Sequence, residues 1–319
     1  MPLKNFGVIY NIYFMIYDLI IIGAGPAAYT ASIYASRFKI NHLLIGEVPG
    51  GLISEAHSVC NFPGANQANG FELAQKMQAH AKELGAEIKE MEKVTEIKKE
   101  GLNFLLKTES GQSFSAKNIL LAIGTKHRKL GLPNEEKYLG RGLAYCATCD
   151  AMFYKDKIVG VVGGGNSAMT AALYLAEVAE KVYLLVRDGE LIGEVVWMEQ
   201  IEKNPKIEVR YYNEVIELKG ENKLEKISLK TKEGPEELML NGLFIEIGTQ
   251  PDPLLIKQLA LETEHSYIKV DAAQRTSLEG VWAAGDISTN SNSVRQVITA
   301  CSEGAVAAQD IFTSLQKNK

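Results

Sequence analysis

Two cysteines separated by two residues are the part of the sequence best suited to chemistry. Cys146 and Cys149 lie in residues 144–150, AYCATCD, and Asp150 follows them directly. Two thiols at this spacing can form a reversible disulfide and exchange it with a second thiol pair. A neighbouring carboxyl can donate or accept the proton that a leaving thiolate requires. The motif therefore indicates a catalytic dithiol with Cys146, Cys149 and Asp150 as its candidate catalytic residues.

Half of a structural zinc site is the competing interpretation of the same cysteine pair. Such a site normally needs four ligands. The sequence has no second CxxC pair, and its five histidines show no HxxxH spacing. We therefore predict no metal site. The other two cysteines, Cys60 and Cys301, are isolated, and we interpret each as a buried apolar thiol.

Two glycine-rich loops are typical of dinucleotide binding. Residues 23–28, GAGPAA, follow the apolar run 17–22, and residues 163–168, GGGNSA, follow the run 158–162. In such loops the first glycine makes a tight turn and the second lets the backbone approach a pyrophosphate, while the last position must be small. The helix that follows offers free N–H groups to the phosphates. The two strand–turn–helix–strand units are an internal repeat that predicts two nucleotide-binding domains.

A third glycine motif suggests how the two domains share one chain. Residues 280–286, GVWAAGD, place Asp286 at the end of an apolar run. A carboxylate there can bind a ribitol or ribose hydroxyl, and it is costly to bury without a partner. The alternative is that Asp286 simply begins a helix before Ile287. If the first domain uses both residues 23–28 and Asp286, the chain leaves it, builds the second domain and returns.

A redox pair combined with two dinucleotide loops implies a path for electrons. A nicotinamide delivers hydride, which a disulfide accepts poorly without a relay. A flavin can take up two electrons and pass them to a disulfide. This argument predicts FAD in the first domain.

The remaining patterns complete an α/β interpretation, with two Rossmann-like three-layer nucleotide-binding domains, the second inserted into the first. We expect a discontinuous FAD-binding domain, residues 1–126 and 251–319, and an inserted NAD(P)H-binding-like domain, residues 127–250, that carries the CxxC motif. The supporting elements are a helix at 71–84, a hairpin at 102–114, a returning strand at 117–124, strands within 207–218, 224–231 and 242–249, and a crossover, QPDP, at 250–253.

Composition bounds the class of protein. The length of 319 residues suggests about two domains, and 46% hydrophobic with 23% charged residues is ordinary for a globular chain. The formal charge of −5 shows no basic excess, so we expect no nucleic-acid partner. Four cysteines are too few for a disulfide-built secreted scaffold of this size.

The amino terminus needs a separate check, because residues 6–22 are largely apolar and follow Lys4. Asn11 and Asp18 interrupt the run, no small-residue cleavage site precedes a new start, and the run leads directly into the first glycine loop. We expect a cytoplasmic chain without a membrane anchor. Met15 is an alternative start that would leave residues 16–22 as the first strand.

The ordered motifs resemble those of the low-molecular-weight thioredoxin reductases, which are FAD-dependent pyridine nucleotide-disulfide oxidoreductases. The resemblance extends from about Tyr17 to the carboxyl terminus. It rests on residues 23–28, GAGPAA; 50–51, GG; 61–64, NFPG; 146–150, CATCD; 163–168, GGGNSA; 283–286, AAGD; and 295–296, RQ.

The resemblance implies a homodimer in which Cys149 faces the flavin, Cys146 attacks the disulfide of thioredoxin and Asp150 is the acid–base group. It also implies a large rotation between the domains that presents the cysteines alternately to flavin and to thioredoxin. The FAD-binding residues it implies are Gly23, Gly25, Pro26, Ala27, Glu47, Gly50, Gly51, Leu52, Asn61, Gly124, Gly285, Asp286, Arg295, Gln296 and Val297. Those implied for NAD(P)H are Gly163, Gly165, Asn166, Ser167, Ala168, Arg187 and Asp188.

The sequence departs from the family where the electron donor would bind. NADPH-specific members carry an HRRxxxR pattern, whereas residues 186–192 here read VRDGELI, with Asp188 and Ile192 in place of two arginines. A carboxylate at that edge repels a 2′-phosphate and suits a free ribose hydroxyl. The donor is therefore open between NADH, NADPH and a reductant such as ferredoxin, which serves some relatives. Leu52 and Ala151 also replace residues that are often glutamine and usually glycine in the family.

Our main functional hypothesis is a flavoprotein that reduces the disulfide of thioredoxin or a thioredoxin-like protein. Four alternatives stay open: a related reductase of a glutaredoxin-like or peroxidase partner, a ferredoxin-fed thioredoxin reductase, a redox sensor that holds FAD without turnover, and a ferredoxin–NADP reductase. The last would have no need of Cys146 and Cys149.

Overall fold

The computed structural model describes residues 15–317, so part of the apolar run 6–22 lies outside the described residues. The chain divides into two compact units. Of the described residues, one unit contains 15–51, 74–124 and 253–317, and the other contains 52–73 and 125–252. The last boundary falls within the predicted crossover. Residues 52–73, expected in the first domain, group with the second unit, where His57 stacks on Tyr174 at 4.0 Å between ring centroids.

The first unit is built on a parallel sheet that places both the glycine turn and Asp286 at its carboxyl edge. Residues of a strand alternate between its two faces. Leu19 and Ile21 pack in one core with helix Pro26–Arg37, whereas Ile20 and Ile22 pack in a second core. The strand order is Val281–Ala283, Ile119–Leu121, Leu19–Ile22, His42–Gly46 and Glu87–Glu90.

A smaller sheet covers the second face of that parallel sheet. The predicted hairpin is confirmed, since Phe104 pairs with Ala116 and Leu106 with Phe114 in antiparallel register. Its buried side chains complete the second core. The strands in order are Ile16–Tyr17, Ser113–Ala116, Asn103–Thr108 and Val94–Glu100. The other elements are helices Leu254–Gln258 and Val297–Lys317, the short strands Thr263–Glu264 and Tyr267–Ile268, and the 3-10 turn Ser291–Ser293. Helix Gly70–Glu83 and the 3-10 turn Gly51–Glu55 cross unit boundaries.

The second unit repeats this architecture. Val159 and Val161 face helix Asn166–Val178, and Val162 and Leu185 face a three-stranded antiparallel sheet. The parallel strands in order are Leu143–Ala144, Gly242–Ile245, Ile158–Val162, Lys181–Val186 and Ile207–Tyr211. The antiparallel strands are Glu214–Lys219, Lys226–Thr231 and Gly234–Met239. The other elements are helices Glu135–Tyr138, Ala147–Asp150 and Val195–Lys203, the 3-10 turn Ala151–Tyr154, and a ribbon of Lys126–His127 with Thr249–Gln250.

These layers confirm the predicted α/β fold and the Rossmann-like, three-layer form of each unit. Several elements end earlier than the apolar pattern suggested. The run 242–249 divides into two strands, because Gly248 has a left-handed φ of 85° that a continuous strand does not allow. Within residues 15–317, no helix is both long and apolar enough to cross a membrane.

Candidate active site

The cysteine motif directly follows the edge strand of the second unit. Leu143 and Ala144 pair with the neighbouring strand, and Cys146 is still extended at φ −124° and ψ 103° before the helix begins at Ala147. Cys146 and Cys149 form a disulfide with their Cα atoms 5.3 Å apart. The helical turn between them directs the Cys149 N–H at Cys146 Sγ, 3.0 Å away. Cys149 is exposed and Cys146 is half-buried.

Asp150 has the properties of a proton carrier beside this disulfide. It is half-buried at the end of the same helical turn. Burial raises the pKa of its carboxyl, because removal from water disfavours the charged form. A carboxyl that keeps its proton to a higher pH is better suited to protonating a thiolate that leaves.

Two large apolar side chains follow the motif and remain in solvent. Met152 is 66% exposed and Phe153 is 72% exposed on the 3-10 turn after Asp150. Neighbouring Ala151 and Tyr154 are buried and anchor this turn. Exposed apolar side chains grouped beside a reactive centre are typical of a surface that meets a protein partner.

The first glycine turn has the close backbone approaches that a dinucleotide loop needs. Gly23 has φ +126°, and a Cβ on it would lie 2.1 Å from the carbonyl oxygen of Ala122. A Cβ on Gly51 would lie 3.4 Å from the Cα of Gly25. Four glycines, Gly23, Gly25, Gly50 and Gly51, therefore form one stretch of closely spaced bare backbone in the first unit.

Tyr29 holds one side of this stretch in place. It is fully buried in helix Pro26–Arg37, and its hydroxyl accepts the N–H of Gly50 at 3.3 Å and donates to Glu90. Glu47 follows the second strand, where a ribose-binding carboxylate is expected, and pairs with Lys93 at 3.3 Å. Both groups lie in the same unit as the glycine turn.

The Asp286 loop lies at the same carboxyl edge of the first sheet. Burial raises the pKa of Asp286, and the Arg295 guanidinium opposes that rise. The Asp286 carboxylate accepts no hydrogen bond from any residue between 15 and 317. Arg295 stacks over the Tyr267 ring at 3.7 Å, and its Nε is buried without a hydrogen-bond partner. A half-buried carboxylate and an orphaned guanidinium nitrogen are the groups a polar ligand would satisfy, so this edge fits the ribityl and phosphate parts of FAD.

Glu303 is a site residue that the sequence interpretation missed. It is buried in helix Val297–Lys317, and its carboxylate accepts the N–H of Gly285 at 2.7 Å and the Ser288 hydroxyl at 3.1 Å. A third bond comes from the Ser291 hydroxyl. Together these bonds fix the loop that carries Asp286. The available signal was an acidic residue within an apolar helical run, ACSEGAVAA, where an unpaired charge would be costly.

The second glycine turn repeats the first. Gly163 has φ +142°, and a Cβ on it would lie 2.2 Å from the carbonyl oxygen of Glu246. Gly165 precedes the helix, Ala168 is fully buried against the turn, and Asn166 Oδ1 accepts the N–H of Glu194 at 2.8 Å. Ser167 is exposed on the first helical turn.

The stretch after the second strand of this unit is poor in positive charge. Arg187 is exposed, and its guanidinium lies 3.5 Å from the carboxylate of adjacent Asp188. Ile192 is 67% exposed and donates its N–H to the Gly164 carbonyl at 2.8 Å. The segment 186–194 therefore folds against the glycine turn with one arginine, which is already paired, and three carboxyl groups, Asp188, Glu190 and Glu194.

The predicted site residues divide between the two units. The first unit brings together Gly23, Gly25, Pro26, Ala27, Glu47, Gly50, Gly51, Gly124, Gly285, Asp286, Arg295, Gln296 and Val297. The second unit contains the cysteine motif, the residues predicted for NAD(P)H, and also Leu52 and Asn61, which were predicted for FAD.

The interpretation of Cys60 as a buried thiol is wrong. Cys60 is exposed, and its sulfur lies 3.3 Å from the Ser58 hydroxyl. It lies in the irregular segment 56–69, where neighbouring Val59 is buried instead. Cys301 is half-buried on helix Val297–Lys317, and burial raises the pKa of its thiol. Among residues 15–317, no three histidine, cysteine or acidic side chains are grouped to hold a metal ion.

Comparisons with known proteins agree with this arrangement. The chain matches the family described as pyridine nucleotide-disulphide oxidoreductase over residues 17–304. A thioredoxin reductase of Peptoclostridium acidaminophilum is 39% identical over 313 residues, covering 95% of this chain and 98% of the relative. The structure of Lactococcus lactis thioredoxin reductase in its FR conformation matches with TM-score 0.90 at 33% identity, covering 94% of this chain and 99% of that one. A ferredoxin-flavin thioredoxin reductase from Clostridium acetobutylicum matches with TM-score 0.51 at 32% identity, covering 94% and 98%.

Proposed function

Since the chain belongs to the pyridine nucleotide-disulphide oxidoreductase family, we propose that it is a flavoprotein thioredoxin-disulfide reductase. In this function electrons pass from a reduced donor through FAD and the Cys146–Cys149 dithiol to thioredoxin. Membership of the family implies FAD and a nicotinamide cofactor without deciding which nicotinamide. The observation that carries the proposal is the Cys146–Cys149 disulfide, with Asp150 beside it, at the carboxyl edge of one of two Rossmann-like units.

The first unit is the proposed FAD site. Gly23 makes the tight turn against the Ala122 carbonyl, and bare backbone at Gly25 admits a pyrophosphate. Asp286 and Arg295 offer a carboxylate and a buried guanidinium nitrogen to polar groups of the ligand. When bound, FAD supplies two-electron transfer between a nicotinamide and a disulfide. The proposed set also includes Pro26, Ala27, Glu47, Gly50, Leu52, Asn61, Gly124, Gly285, Gln296 and Val297.

The protein's own contribution to the thiol chemistry is made by three residues. The Cys149 N–H that points at Cys146 Sγ would stabilise a thiolate on Cys146, since hydrogen bonds to the charged form favour it. We therefore assign attack on the thioredoxin disulfide to Cys146 and exchange with the flavin to Cys149. Asp150 holds the proton that a released thiolate takes up.

The second unit is the proposed donor site, and we propose NADH as the preferred nicotinamide. Gly163, Gly165, Asn166, Ser167 and Ala168 form its phosphate turn. Arg187 is already paired with Asp188, so a 2′-phosphate would meet a neutralised arginine among carboxylates. Repulsion between those carboxylates and a phosphate costs free energy, whereas a ribose hydroxyl can donate to Asp188.

An anaerobic titration of the flavin tests the donor. We expect NADH to bleach the flavin at a lower concentration than NADPH does. If only reduced ferredoxin bleaches the flavin, the proposed electron donor changes from a nicotinamide to ferredoxin, the donor named for the Clostridium acetobutylicum relative. A flavin that none of the three reduces would favour a redox sensor.

A thioredoxin reduction assay tests the main function. We expect the purified protein to be yellow, and Cys149→Ser to lose thioredoxin reduction while it keeps FAD. Cys60→Ser is the matched control, because it removes an exposed free thiol outside the disulfide. Undiminished turnover by Cys149→Ser would refute the proposal, and faster reduction of a glutaredoxin-like or peroxidase partner would reassign the substrate.

Two further properties follow the family resemblance and are part of the proposal. We propose that the protein acts as a homodimer and that it works in the cytoplasm. Light scattering coupled to size-exclusion chromatography of the FAD-loaded protein tests the first, with twice the chain mass of 35.0 kDa as the expected result.

A further inference from the structure

Glu246 is a carboxyl group at the carboxyl edge of the second unit's sheet, and the proposed thiol and cofactor chemistry does not use it. Glu246 directly follows strand Gly242–Ile245 and donates its N–H to the Val162 carbonyl at 2.9 Å. Its own carbonyl oxygen covers Gly163. The chain builds the sheet outward from Ile158–Val162 on one side and returns on the other with Gly242–Ile245. Open parallel sheets bind ligands at this reversal of strand order, outside the carboxyl ends of the strands.

Two further titratable groups of the same unit, His127 and Glu55, act electrostatically on Glu246. His127 Nε2 lies 2.8 Å from Glu55 Oε2, so the two form an ion pair when the imidazole is protonated. The Glu55 carboxylate raises the pKa of His127. Burial raises the pKa of Glu246 to about 8, with His127 opposing the rise and Glu55 adding to it.

The flanking charges of this cluster are already engaged. Lys126 pairs with Asp252 at 3.0 Å, and Arg128 donates its Nε to the Thr249 carbonyl at 3.0 Å. His127 and Glu55 are therefore the charges that act on Glu246 most directly.

The cluster reaches the cysteine motif by two routes. The ring of His127 lies 5.8 Å from the ring of Tyr145, centroid to centroid, and Tyr145 immediately precedes Cys146. Tyr145 is fixed in turn by donating its hydroxyl to Glu135. In addition, Ala144 pairs with Phe244, so Cys146 and Glu246 each lie two residues beyond paired positions on adjacent strands. Adjacent strands are about 4.8 Å apart.

We propose that Glu246 is a positioning residue for the dithiol. The protonation state of Glu246 is set by the His127–Glu55 pair, and it decides how readily Cys146 becomes a thiolate. A protonated Glu246 leaves the thiolate undisturbed, whereas an ionised Glu246 adds a negative charge after the adjacent strand and disfavours the thiolate. The role in turnover rests on the proposed reductase function. There the Cys146 thiolate bonds to one sulfur of the partner disulfide, whose S–S bond breaks, and the released sulfur takes a proton. Cys149 then bonds to Cys146 and releases the second partner thiol, so the partner gains the two electrons that the dithiol loses.

The test follows Cys146 directly and does not depend on thioredoxin. In FAD-loaded protein carrying Cys60→Ser and Cys149→Ser, the alkylation rate of Cys146 by iodoacetamide is measured from pH 6 to 10, with the adduct identified by peptide mass spectrometry. We expect two ionisations, one from the thiol and one near pH 8 from Glu246. Adding Glu246→Gln should leave one ionisation and lower the apparent thiol pKa by about half a pH unit, which makes alkylation near pH 8.5 roughly 1.5- to 2-fold faster.

Two variants keep the test decisive. Glu180→Gln removes the same charge from an exposed residue at the amino end of strand Lys181–Val186 and should leave the profile unchanged. His127→Gln removes the cation that favours ionised Glu246 and should move the second ionisation to higher pH. Superimposable profiles with and without Glu246→Gln would overturn the proposal, as would a second ionisation that His127→Gln leaves in place. Because thioredoxin is absent, a failure of the reductase assay would not produce either result.

Discussion

The two units use nearly the same backbone to make their glycine turns. Gly25 has φ −95° and ψ −175° before its helix, and Gly165 has φ −94° and ψ −176° before the corresponding helix. Gly23 and Gly163 both have left-handed φ values, and each leaves room for a carbonyl oxygen of the returning strand. The turn is therefore the constant part of the repeat, because few backbone conformations let two main-chain segments approach this closely.

The edge strand is where the two units diverge. In the first unit it is Val281–Ala283, which comes from the last part of the chain and leads to Asp286. In the second it is Leu143–Ala144, which precedes the glycine turn and leads to Cys146. One architectural position therefore carries a proposed cofactor carboxylate in one unit and a disulfide in the other. The loop after the edge strand can carry different chemical groups in the two units, because its backbone is not part of the glycine turn.

A smaller divergence lies on the returning strand. The residue whose carbonyl covers the glycine turn is Ala122 in the first unit and Glu246 in the second. At this equivalent position a titratable side chain therefore occurs only in the unit that also carries Cys146 and Cys149.

The largest expected effect comes from adding one methyl group to each turn. Gly23→Ala places a Cβ against a backbone carbonyl at a left-handed φ, so we expect FAD binding to weaken by about a hundredfold or more. Gly163→Ala makes the same change in the second unit and should keep FAD while flavin reduction by NADH is lost. FAD content and anaerobic bleaching measure the two outcomes.

A third glycine serves as a control that distinguishes the steric clash of an added Cβ from the strain of a left-handed φ alone. Gly111 has φ +86° in an exposed hairpin with no atom near its missing Cβ, so Gly111→Ala should leave both nucleotides bound. Loss of FAD in Gly163→Ala with retention in Gly23→Ala would reverse the proposed assignment of the units.

The next largest effect concerns the edge loop of the first unit. Glu303→Ala leaves the Gly285 N–H without its acceptor, which costs roughly 2–3 kcal/mol when the group is buried. We expect FAD affinity to fall about tenfold or more by titration of the apoprotein, with Glu303→Gln restoring most of it, because the amide oxygen still accepts a hydrogen bond. Unchanged affinity in a folded Glu303→Ala protein would show that Asp286 does not depend on this loop.

Glu246, which occupies the position equivalent to Ala122 of the first unit, should make the stability of the protein depend on pH. Because its pKa is raised from 4.5 to about 8, the folded state binds a proton that the unfolded chain releases, and stability falls as pH rises through 8. Relative to Glu246→Gln, the native protein should lose roughly 4 kcal/mol between pH 5 and 9, or on the order of ten degrees in unfolding temperature. Scanning calorimetry measures the difference, with Glu180→Gln as the charge-matched control. Parallel pH curves for the native and Glu246→Gln proteins would contradict the assigned pKa.

The smallest effect should come from the exposed pair at the donor site. Asp188→Asn frees Arg187 to meet a 2′-phosphate, and exposed ion pairs are worth about 1 kcal/mol or less. We expect the ratio of NADPH to NADH affinity to rise by about three- to fivefold in flavin-reduction titrations. Glu190→Gln removes a neighbouring charge that Arg187 does not contact and should change the ratio less. An equal rise in both variants would indicate general charge rather than the Arg187–Asp188 pair.

Local sequence patterns were sufficient to predict many of the secondary-structure elements of this protein. The apolar runs and the glycines at fixed spacing predicted the two turns, the hairpin and the parallel strands, because each depends on residues near one another in the chain. The interpretation of Cys60 failed for the opposite reason, since burial depends on what lies across the fold. Glu303 and Glu246 were overlooked because their partners are distant in sequence; for Glu303 they lie 12 to 18 residues away.

By itself, the sequence determined the Cys146–Cys149 pair and the two glycine turns and predicted a redox-active dithiol and two dinucleotide sites from them, since these depend on residue type and short spacing. Only the tertiary structure decided what surrounds them. It brought Glu303 to the Asp286 loop, paired Arg187 with Asp188, and grouped Glu246 with His127 and Glu55. These relations arise from strand order and burial, which set the distances and the dielectric surroundings that govern each proton and charge.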